Sequence, residues 1–252
     1  MTITEPAQKS YSIRADDQTT CLDCHGYGGA WTDVDDFGLV HFKQYCSCPL
    51  GQSLKLMYEA EKSKREEQSK QAEIDRLFGV AKIPQLFEKA TLADFAKQPQ
   101  LLAQVERAEK CRQGLFLWGV PGTGKTHLAV AVLSEKLDVG TPGLFIEVPD
   151  MLARIRETFN GNGASAEQMI RAVCEVDVLV LDDLGAEKPS EWVKEQLFRI
   201  VNTRYSNCRF TVVTTNLTQK ELALRIGERT VSRLIGMCDV IQLDGVDRRK
   251  TR

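Results

Sequence analysis

Eight residues between an apolar strand pattern and a helix pattern could bind phosphate. Residues 115–128 read LFLWGVPGTGKTHL, in which GVPGTGKT spans 119–126. Glycines let the backbone curl so that successive N–H groups face one anion, and the helix that follows adds the positive end of its dipole. The spacing therefore predicts a P-loop that binds a nucleoside triphosphate. The predicted nucleotide ligands are Gly119, Pro121, Gly122, Thr123, Gly124, Lys125, Thr126 and His127, and the Thr126 hydroxyl is also a predicted Mg²⁺ ligand.

Two neighbouring carboxylates end a second apolar strand pattern. Residues 178–184 read VLVLDDL, and such an apolar run is typical of a parallel strand buried on both faces. We expect Asp182 to hold Mg²⁺ through water and Asp183 to orient and activate the attacking water, with Lys125 supplying positive charge. This pair predicts hydrolysis as well as binding. A solvated acidic turn at the end of a strand is the alternative for this segment taken alone.

A third strand pattern, FTVVTT at 210–215, ends in Asn216. In P-loop ATPases of the AAA+ class, a polar residue at this point lies between the two nucleotide-binding strands and senses the γ-phosphate. We therefore expect Asn216 to be a catalytic sensor. The alternative is an N-cap of the helix that begins near residue 218, because asparagine accepts backbone N–H bonds in that position.

The overall composition is that of a globular protein. The chain has 252 residues, of which 42% are hydrophobic and 27% charged, and its formal net charge is −2. Residues 1–50 carry three Lys/Arg against seven Asp/Glu, whereas 225–252 carry seven against four. The acidic end therefore suits protein docking better than contact with phosphate backbones. Because no apolar run is long enough to span a membrane and no secretory signal pattern opens the chain, we expect a cytoplasmic location.

Four of the eight cysteines form two close pairs within the first 50 residues. Two thiolate pairs brought together make the tetrahedral site that suits structural Zn²⁺, and so short a segment would owe most of its folding free energy to the metal. An iron–sulfur cluster and unligated thiols are the alternatives, and His25 or His41 could replace one sulfur. The predicted ligands are Cys21, Cys24, Cys46 and Cys48. We interpret the others as small residues in or near the core: Cys111, Cys174, Cys208 and Cys238.

Composition divides the chain into three parts. Residues 1–51 hold the cysteine pairs, and 52–77 are rich in Lys, Glu, Gln and Ala without Gly or Pro, as in a solvated helix. Over 78–252, strand patterns alternate with helix patterns, as in a doubly wound parallel sheet. We therefore predict an α/β protein with a small N-terminal zinc-binding domain, a helical linker and a P-loop nucleotide-binding domain.

Longer stretches around these motifs resemble one family. They read GVPGTGKTHLA, VPDMLARIRETFNGNGASAEQMI, VDVLVLDDLGAEKPSEW, VVTTNL, GERTVSRL and DGVDRR, all within residues 78–252. Together they are similar to the DnaC-type bacterial and phage helicase loaders, which are relatives of the IstB-type transposition ATPases within the AAA+ class. The resemblance implies an AAA+ domain that binds ATP and ADP with Mg²⁺ and hydrolyses ATP.

The resemblance also implies roles for residues outside the P-loop. Arg229 matches an arginine finger that would reach the ATP site of a neighbouring subunit, with Arg233 as its rival and a surface salt bridge as the alternative. Arg248 matches a sensor-2 arginine that binds the nucleotide within its own subunit, with a basic tail as the alternative. Residues 148–170 match a helical element used against single-stranded DNA. Basic candidates for DNA contact are Arg154, Arg156 and Lys188.

The implied function is ATP-dependent loading of a hexameric replicative DNA helicase onto single-stranded DNA during replication initiation. Self-association would run through the ATP site, and the zinc module, of a kind found in loaders called DnaI, would dock the helicase. Because Asp-Asp replaces the Asp-Glu of many AAA+ enzymes, we expect slow hydrolysis. One alternative is an IstB-type transposition helper acting on duplex DNA. Another is a DNA-binding zinc protein whose P-loop is only structural.

Overall fold

The computed structural model describes residues 27–78, 83–157, 166–245 and 247. The chain divides into two compact units, residues 1–65 and 66–252. Each unit has its own set of internal contacts. Among the described residues, no helix is both long and apolar enough to cross a membrane.

The first unit contains an antiparallel hairpin of β1 (Gly29–Val34) and β2 (Val40–Tyr45). Asp35 closes its turn, because one carboxylate oxygen accepts the N–H groups of Phe37 and Leu39 at 2.9 Å each. The other oxygen accepts the hydroxyl of Tyr58 at 3.0 Å. The hairpin is thereby joined to the helix that follows it.

That helix, α1 (Pro49–Phe78), has 30 residues. Its exposed surface carries ion pairs at i,i+4 spacing, such as Lys55 with Glu59 at 3.7 Å, which suit a solvated helix. The boundary between the two compact units falls inside α1, after residue 65. The linker over 52–77 and the domain starting at residue 78 stay predictions, since one continuous helix covers that range.

The second unit is built on a five-stranded parallel sheet with the order β4-β5-β6-β3-β7. Its strands are β3 (Gly114–Trp118), β4 (Gly143–Glu147), β5 (Val178–Asp182), β6 (Phe210–Thr215) and β7 (Cys238–Gln242). This arrangement confirms the predicted α/β class with a parallel sheet. The carboxyl ends of β3, β5 and β6 are adjacent, which is where ligands bind in such folds.

Helices connect the strands of this sheet. They are α2 (Pro99–Lys110), α3 (Lys125–Asp138), α4 (Val148–Glu157), α5 (Ala166–Glu175), α6 (Glu191–Ser206), α7 (Gln219–Ile226) and α8 (Glu228–Met237). The sequence patterns did not predict α2 and α8. Both have local signals, namely proline at the start of α2 and buried Thr230, Val231 and Leu234 at helical spacing in α8.

The strands bury both faces because alternate side chains point to opposite sides. Phe116, Leu179 and Val213 pack in one cluster with α4 to α8. Leu117 and Val180 pack in a second cluster with α2 and α3. The two layers of helices hold the carboxyl ends of the strands in fixed positions.

Arg204 on α6 is fully buried and joins three parts of the second unit. Its guanidinium donates to the carbonyls of Val173 (3.0 Å), Val176 (2.7 Å) and Phe210 (2.7 Å), and to the Thr211 hydroxyl (2.9 Å). Burial lowers the pKa of Arg204 to about 9. These bonds satisfy carbonyls at the end of α5 that no helical N–H reaches.

The expected burial of four cysteines holds for two of them. Cys174 and Cys238 are buried, and burial raises the pKa of both thiols, that of Cys238 to about 12. For Cys111 and Cys208 the prediction was wrong, because both are exposed. They lie in the turns that end α2 and α6, where the chain leaves the core.

Candidate functional site

The P-loop joins β3 to α3 as the sequence predicted. Gly119, Gly122 and Gly124 all have positive φ values, of 143°, 83° and 99°. Lys125 is only 6% exposed, and its ammonium group donates to the carbonyls of Gly119 at 2.9 Å and Val120 at 2.8 Å. The positive charge therefore lies inside the loop, and a bound phosphate would compete with two loop carbonyls for it.

Asp182, at the end of β5, is the centre of a buried polar cluster. One of its carboxylate oxygens accepts the Thr126 hydroxyl at 3.0 Å and the Thr214 hydroxyl at 2.6 Å. Burial raises the pKa of Asp182 to about 6, although both hydroxyl donors lower it. The P-loop, β5 and β6 thus meet at this one carboxylate.

The structure also brings Asp183 and Asn216 together. The Asn216 side-chain amide donates to a carboxylate oxygen of Asp183 at 3.2 Å. The N-cap of α7 is Thr218, whose side chain accepts the Glu221 N–H, so the alternative of Asn216 as that cap was wrong. Asp183 has a φ of 55°, in the left-handed region that residues other than glycine seldom adopt.

The residues around Asp182 fit a magnesium ion. The Thr126 hydroxyl and the Asp182 carboxylate are 3.0 Å apart, and both are the hard oxygen ligands that Mg²⁺ prefers. The Asp182 carboxylate would hold the ion in its ionised form. Its raised pKa reflects burial, which the two hydroxyl donors only partly offset.

His127 was predicted as a nucleotide ligand, and the structure gives it other contacts. Its Nε2 lies 2.8 Å from a carboxylate oxygen of Asp94, and its ring meets the edges of Phe87 and Phe95. The hydrogen bond to His127 lowers the pKa of Asp94, together with the Thr91 N–H. His127 therefore fastens the segment before α2 to the first turn of α3.

The chain after β7 lies against the glycine loop. The Leu243 N–H donates to the Trp118 carbonyl at 2.8 Å, and a Cβ on Gly119 would overlap the Leu243 carbonyl. A Cβ on Gly122 would overlap the carboxylate of Asp247. An acidic side chain thus lies directly beside the phosphate loop.

A cavity of about 520 Å³ lies next to this segment. Residues 97–101 and Gln104 line one side, and residues 242–244 line the other. Since Leu243 also touches Gly119, the cavity and the phosphate loop share a wall.

The two candidate finger arginines differ in their surroundings. Arg233 donates to the Asn202 side chain at 2.7 Å and lies over the ring of Phe198, 4.7 Å from its centroid. Arg229 is exposed at the start of α8, and its side chain makes no hydrogen bond or ion pair among the described residues. Arg229 is thus the better placed to contact another molecule. Arg248 lies outside the described residues.

Of the predicted zinc ligands, Cys21 and Cys24 lie outside the described residues. Cys46 and Cys48 follow β2, and the Gly51 N–H donates to the Cys48 sulfur at 3.4 Å. Such N–H bonds stabilise a thiolate. Among the residues that the structure describes, no three potential metal ligands come together.

The basic candidates for DNA contact lie on and after α4. Arg154 pairs with Asp150 at 3.2 Å, and the Arg156 guanidinium lies 4.9 Å from the Trp192 ring centroid. Lys188 is exposed. Each keeps a positive charge at the surface, which DNA contact requires but does not by itself demonstrate.

Sequence reasoning missed Thr214, which bonds to the Asp182 carboxylate and to the backbone of Asp183. Its hydroxyl donates to Asp182 and accepts the Asp183 N–H at 3.0 Å. The signal was present as two adjacent threonines at the end of the strand FTVVTT, directly before Asn216. Polar side chains at the carboxyl end of a buried parallel strand face the ligand crevice.

These features define a class. The glycine loop runs from β3 into α3, and its Thr126 contacts Asp182 at the end of β5. The strand between them, β6, is followed by Asn216, which supplies an amide. This is the nucleotide site of a P-loop domain with AAA+ organisation. The model of the IstB-like ATP binding protein family matches residues 42–252, and the chain belongs to that family.

The chain is also similar to individual relatives. It is 38% identical over 116 residues to the replicative helicase loader DnaC of Escherichia coli K12, covering 46% of this chain and 47% of that protein, so it spans about half that relative's length. It is 29% identical over 175 residues to DnaC of Buchnera aphidicola subsp. Baizongia pistaciae, covering 66% and 71%. A crystal structure of the DnaC helicase loader superposes with a TM-score of 0.58 at 29% identity, over 64% of this chain and all of that one.

Proposed function

We propose that this protein is an ATPase that loads a hexameric replicative DNA helicase onto single-stranded DNA during replication initiation. The observation that carries the proposal is the convergence of Thr126, Asp182 and Thr214, with Asp183 and Asn216 bonded beside them. Similarity to the DnaC loaders supports the biological role.

ATP binding begins at the P-loop in this proposal. The phosphates replace the carbonyls of Gly119 and Val120 as partners of Lys125, while loop N–H groups and the start of α3 face the negative charge. Thr126 would hold Mg²⁺ directly and Asp182 would hold it through water, and the ion would supply positive charge against the phosphate oxygens. The nucleotide base occupies the cavity between the start of α2 and the end of β7.

Hydrolysis requires a water aligned with the γ-phosphate. Asp183 orients and deprotonates this water. Asn216 contacts both the Asp183 carboxylate and the γ-phosphate. The Asp183 side chain is one methylene shorter than glutamate, so it holds the water less closely and turnover is slow. Arg229 of a neighbouring protomer neutralises charge in the transition state, and Arg248 contacts the nucleotide in its own protomer.

The first 51 residues dock the helicase and bind zinc. The hydrogen bond from the Gly51 N–H to the Cys48 sulfur is of the kind that supports a metal-ligating sulfur, and Cys21, Cys24 and Cys46 complete the proposed site. The excess of acidic residues in this part favours contact with protein over DNA. Single-stranded DNA instead meets the surface of α4 through Arg154 and Arg156.

A transposition helper that acts on duplex DNA is a second candidate, because the matching family model is that of IstB-like proteins. Both candidates share the ATPase core. They differ in their partner, since a loader forms a complex with a replicative helicase ring and a helper stimulates a transposase.

ATP turnover tests the chemistry. We expect slow phosphate release that Lys125→Ala abolishes, whereas Lys89→Ala, an exposed lysine before the domain core, leaves it unchanged. The partner is tested by native mass spectrometry with candidate hexameric helicases, with and without ATP. An ATP-dependent complex with a ring supports the loader, and binding to a transposase without any helicase complex supports the second candidate.

A further inference from the structure

The turn after the two carboxylates, residues 183–187, is fastened to β6. The Leu184 N–H donates to the carbonyl of Thr214 at 2.9 Å, and the Thr215 hydroxyl donates to the Leu184 carbonyl at 2.7 Å. The Asp183 N–H donates to the Thr214 hydroxyl at 3.0 Å. The first two residues of the turn therefore have little freedom to move relative to β6.

Two side chains hold the middle of the same turn. The Gly185 N–H donates to a carboxylate oxygen of Glu187 at 3.0 Å, and the Gly185 carbonyl accepts from the Arg225 guanidinium at 2.7 Å. Glu187 is 8% exposed, and its second oxygen has no partner among the described residues. Gly185 has a φ of 91°, and a Cβ there would overlap Leu217 and Leu222. The conformation at Gly185 is fixed by Glu187 within the turn and by Arg225, Leu217 and Leu222 outside it.

These contacts bear on Asp183 because its backbone is strained. A left-handed conformation at a residue other than glycine is unfavourable and persists only where the surroundings enforce it. Because the aspartate side chain is short, its carboxylate can reach the attacking water over only a narrow range of backbone positions. A small relaxation of the turn would therefore move the carboxylate away from its working position.

We infer that Arg225 is a positioning residue for ATP hydrolysis, which fixes Asp183 through its bond to Gly185. The inference rests on the proposed function, in which Asp183 activates the water. Arg225 lies on α7, and Arg229 follows on α8 four residues later. Arg225 thus ties the protomer's own hydrolysis turn to the helix pair whose exposed arginine serves the neighbouring site.

The first test separates turnover from binding. Arg225→Ala should lower kcat about ten- to hundredfold while the Kd of a fluorescent ATP analogue stays within about twofold, and Arg225→Lys should recover part of kcat because it keeps one donor. Lys220→Ala, an exposed cation on the same helix, should match wild type. An unchanged kcat for Arg225→Ala, or a loss of kcat explained by a matching loss of affinity, overturns the inference.

The second test asks which site Arg225 serves. Mixed with Arg229→Ala protomers, Arg225→Ala protomers should regain turnover, because each supplies what the other lacks. Mixed with Asp183→Asn protomers they should stay at the low turnover of Arg225→Ala alone, because neither protomer has a well-placed base in its own site. The opposite pattern, or activity in neither mixture while Asp183→Asn with Arg229→Ala is active, overturns the inference. Wild-type protein that never hydrolyses ATP would instead overturn the proposed function.

Discussion

Among single residues, Asp182 combines burial with a charge that its surroundings only partly compensate. Two hydroxyls donate to it, yet burial dominates and raises its pKa from 3.8 to about 6. The Asp182 carboxylate therefore suits the binding of a cation. This is the usual arrangement at a functional site, where groups required for chemistry cost stability.

The raised pKa has a consequence for stability against pH. Below about pH 4 the folded and unfolded states both keep the Asp182 proton, and between about pH 4 and 6 only the folded state keeps it. The contribution of this carboxyl to the free energy of unfolding therefore falls by about 3 kcal/mol as pH rises through that window, and is level above it. Asp182→Asn does not titrate.

Denaturant unfolding without nucleotide or Mg²⁺ checks this expectation. The stability of Asp182→Asn relative to wild type should rise between pH 4 and pH 7 by about 3 kcal/mol, and other titrating groups cancel in the comparison. A difference that stays constant with pH would show that burial does not perturb Asp182.

At the scale of elements, β3, β5, β6 and the P-loop could be predicted from the sequence because their signals are local. Each strand is largely apolar, polar side chains end β5 and β6, and the glycine spacing marks the loop. Contacts between segments that are far apart in the sequence produce no local pattern of this kind. The bonds of His127 to Asp94 and of Arg225 to Gly185 join residues 33 and 40 positions apart.

The contact between the segment after β7 and the glycine loop also joins distant parts of the sequence, and it leads to a testable prediction. Asp247 lies beside Gly122, so its negative charge opposes that of a bound phosphate. Asp247→Asn should tighten ATP binding about fivefold, or about 1 kcal/mol, in a fluorescence titration. Asp239→Asn, which breaks an ion pair with Arg107 at the far end of β7, should leave the Kd unchanged. Equal or weaker binding by Asp247→Asn would contradict the electrostatic argument.

The contacts of Arg204 predict where the second unit is most sensitive. Arg204→Met would leave several buried carbonyls without donors, so we expect a loss of about 3 kcal/mol or more in the free energy of unfolding. Arg204→Lys should lose less, since it keeps a charge and some donors. Arg199→Ala, which breaks an exposed pair with Glu167, should cost less than about 1 kcal/mol. Similar losses for Arg204→Met and Arg199→Ala in thermal unfolding would refute this role.

At the scale of the whole molecule, we propose that a zinc-binding unit accompanies the ATPase unit. If Cys46 and Cys48 are zinc ligands, native mass spectrometry should find one zinc per chain, lost in Cys46→Ser. Cys111→Ser changes an exposed cysteine in the second unit and should retain the metal. Metal-free wild-type protein would contradict the zinc site, and visible absorption with bound iron would identify a cluster in its place.

The central claim is that an ATP site is completed by a second protomer. The most direct measurement is ATP turnover per protomer as a function of protein concentration, with single-stranded DNA and a helicase ring supplied. Turnover should rise steeply as protomers associate and should be lost in Arg229→Ala at every concentration, while the affinity for ATP is kept. Turnover per protomer that is independent of concentration and unaffected by Arg229→Ala would contradict the account.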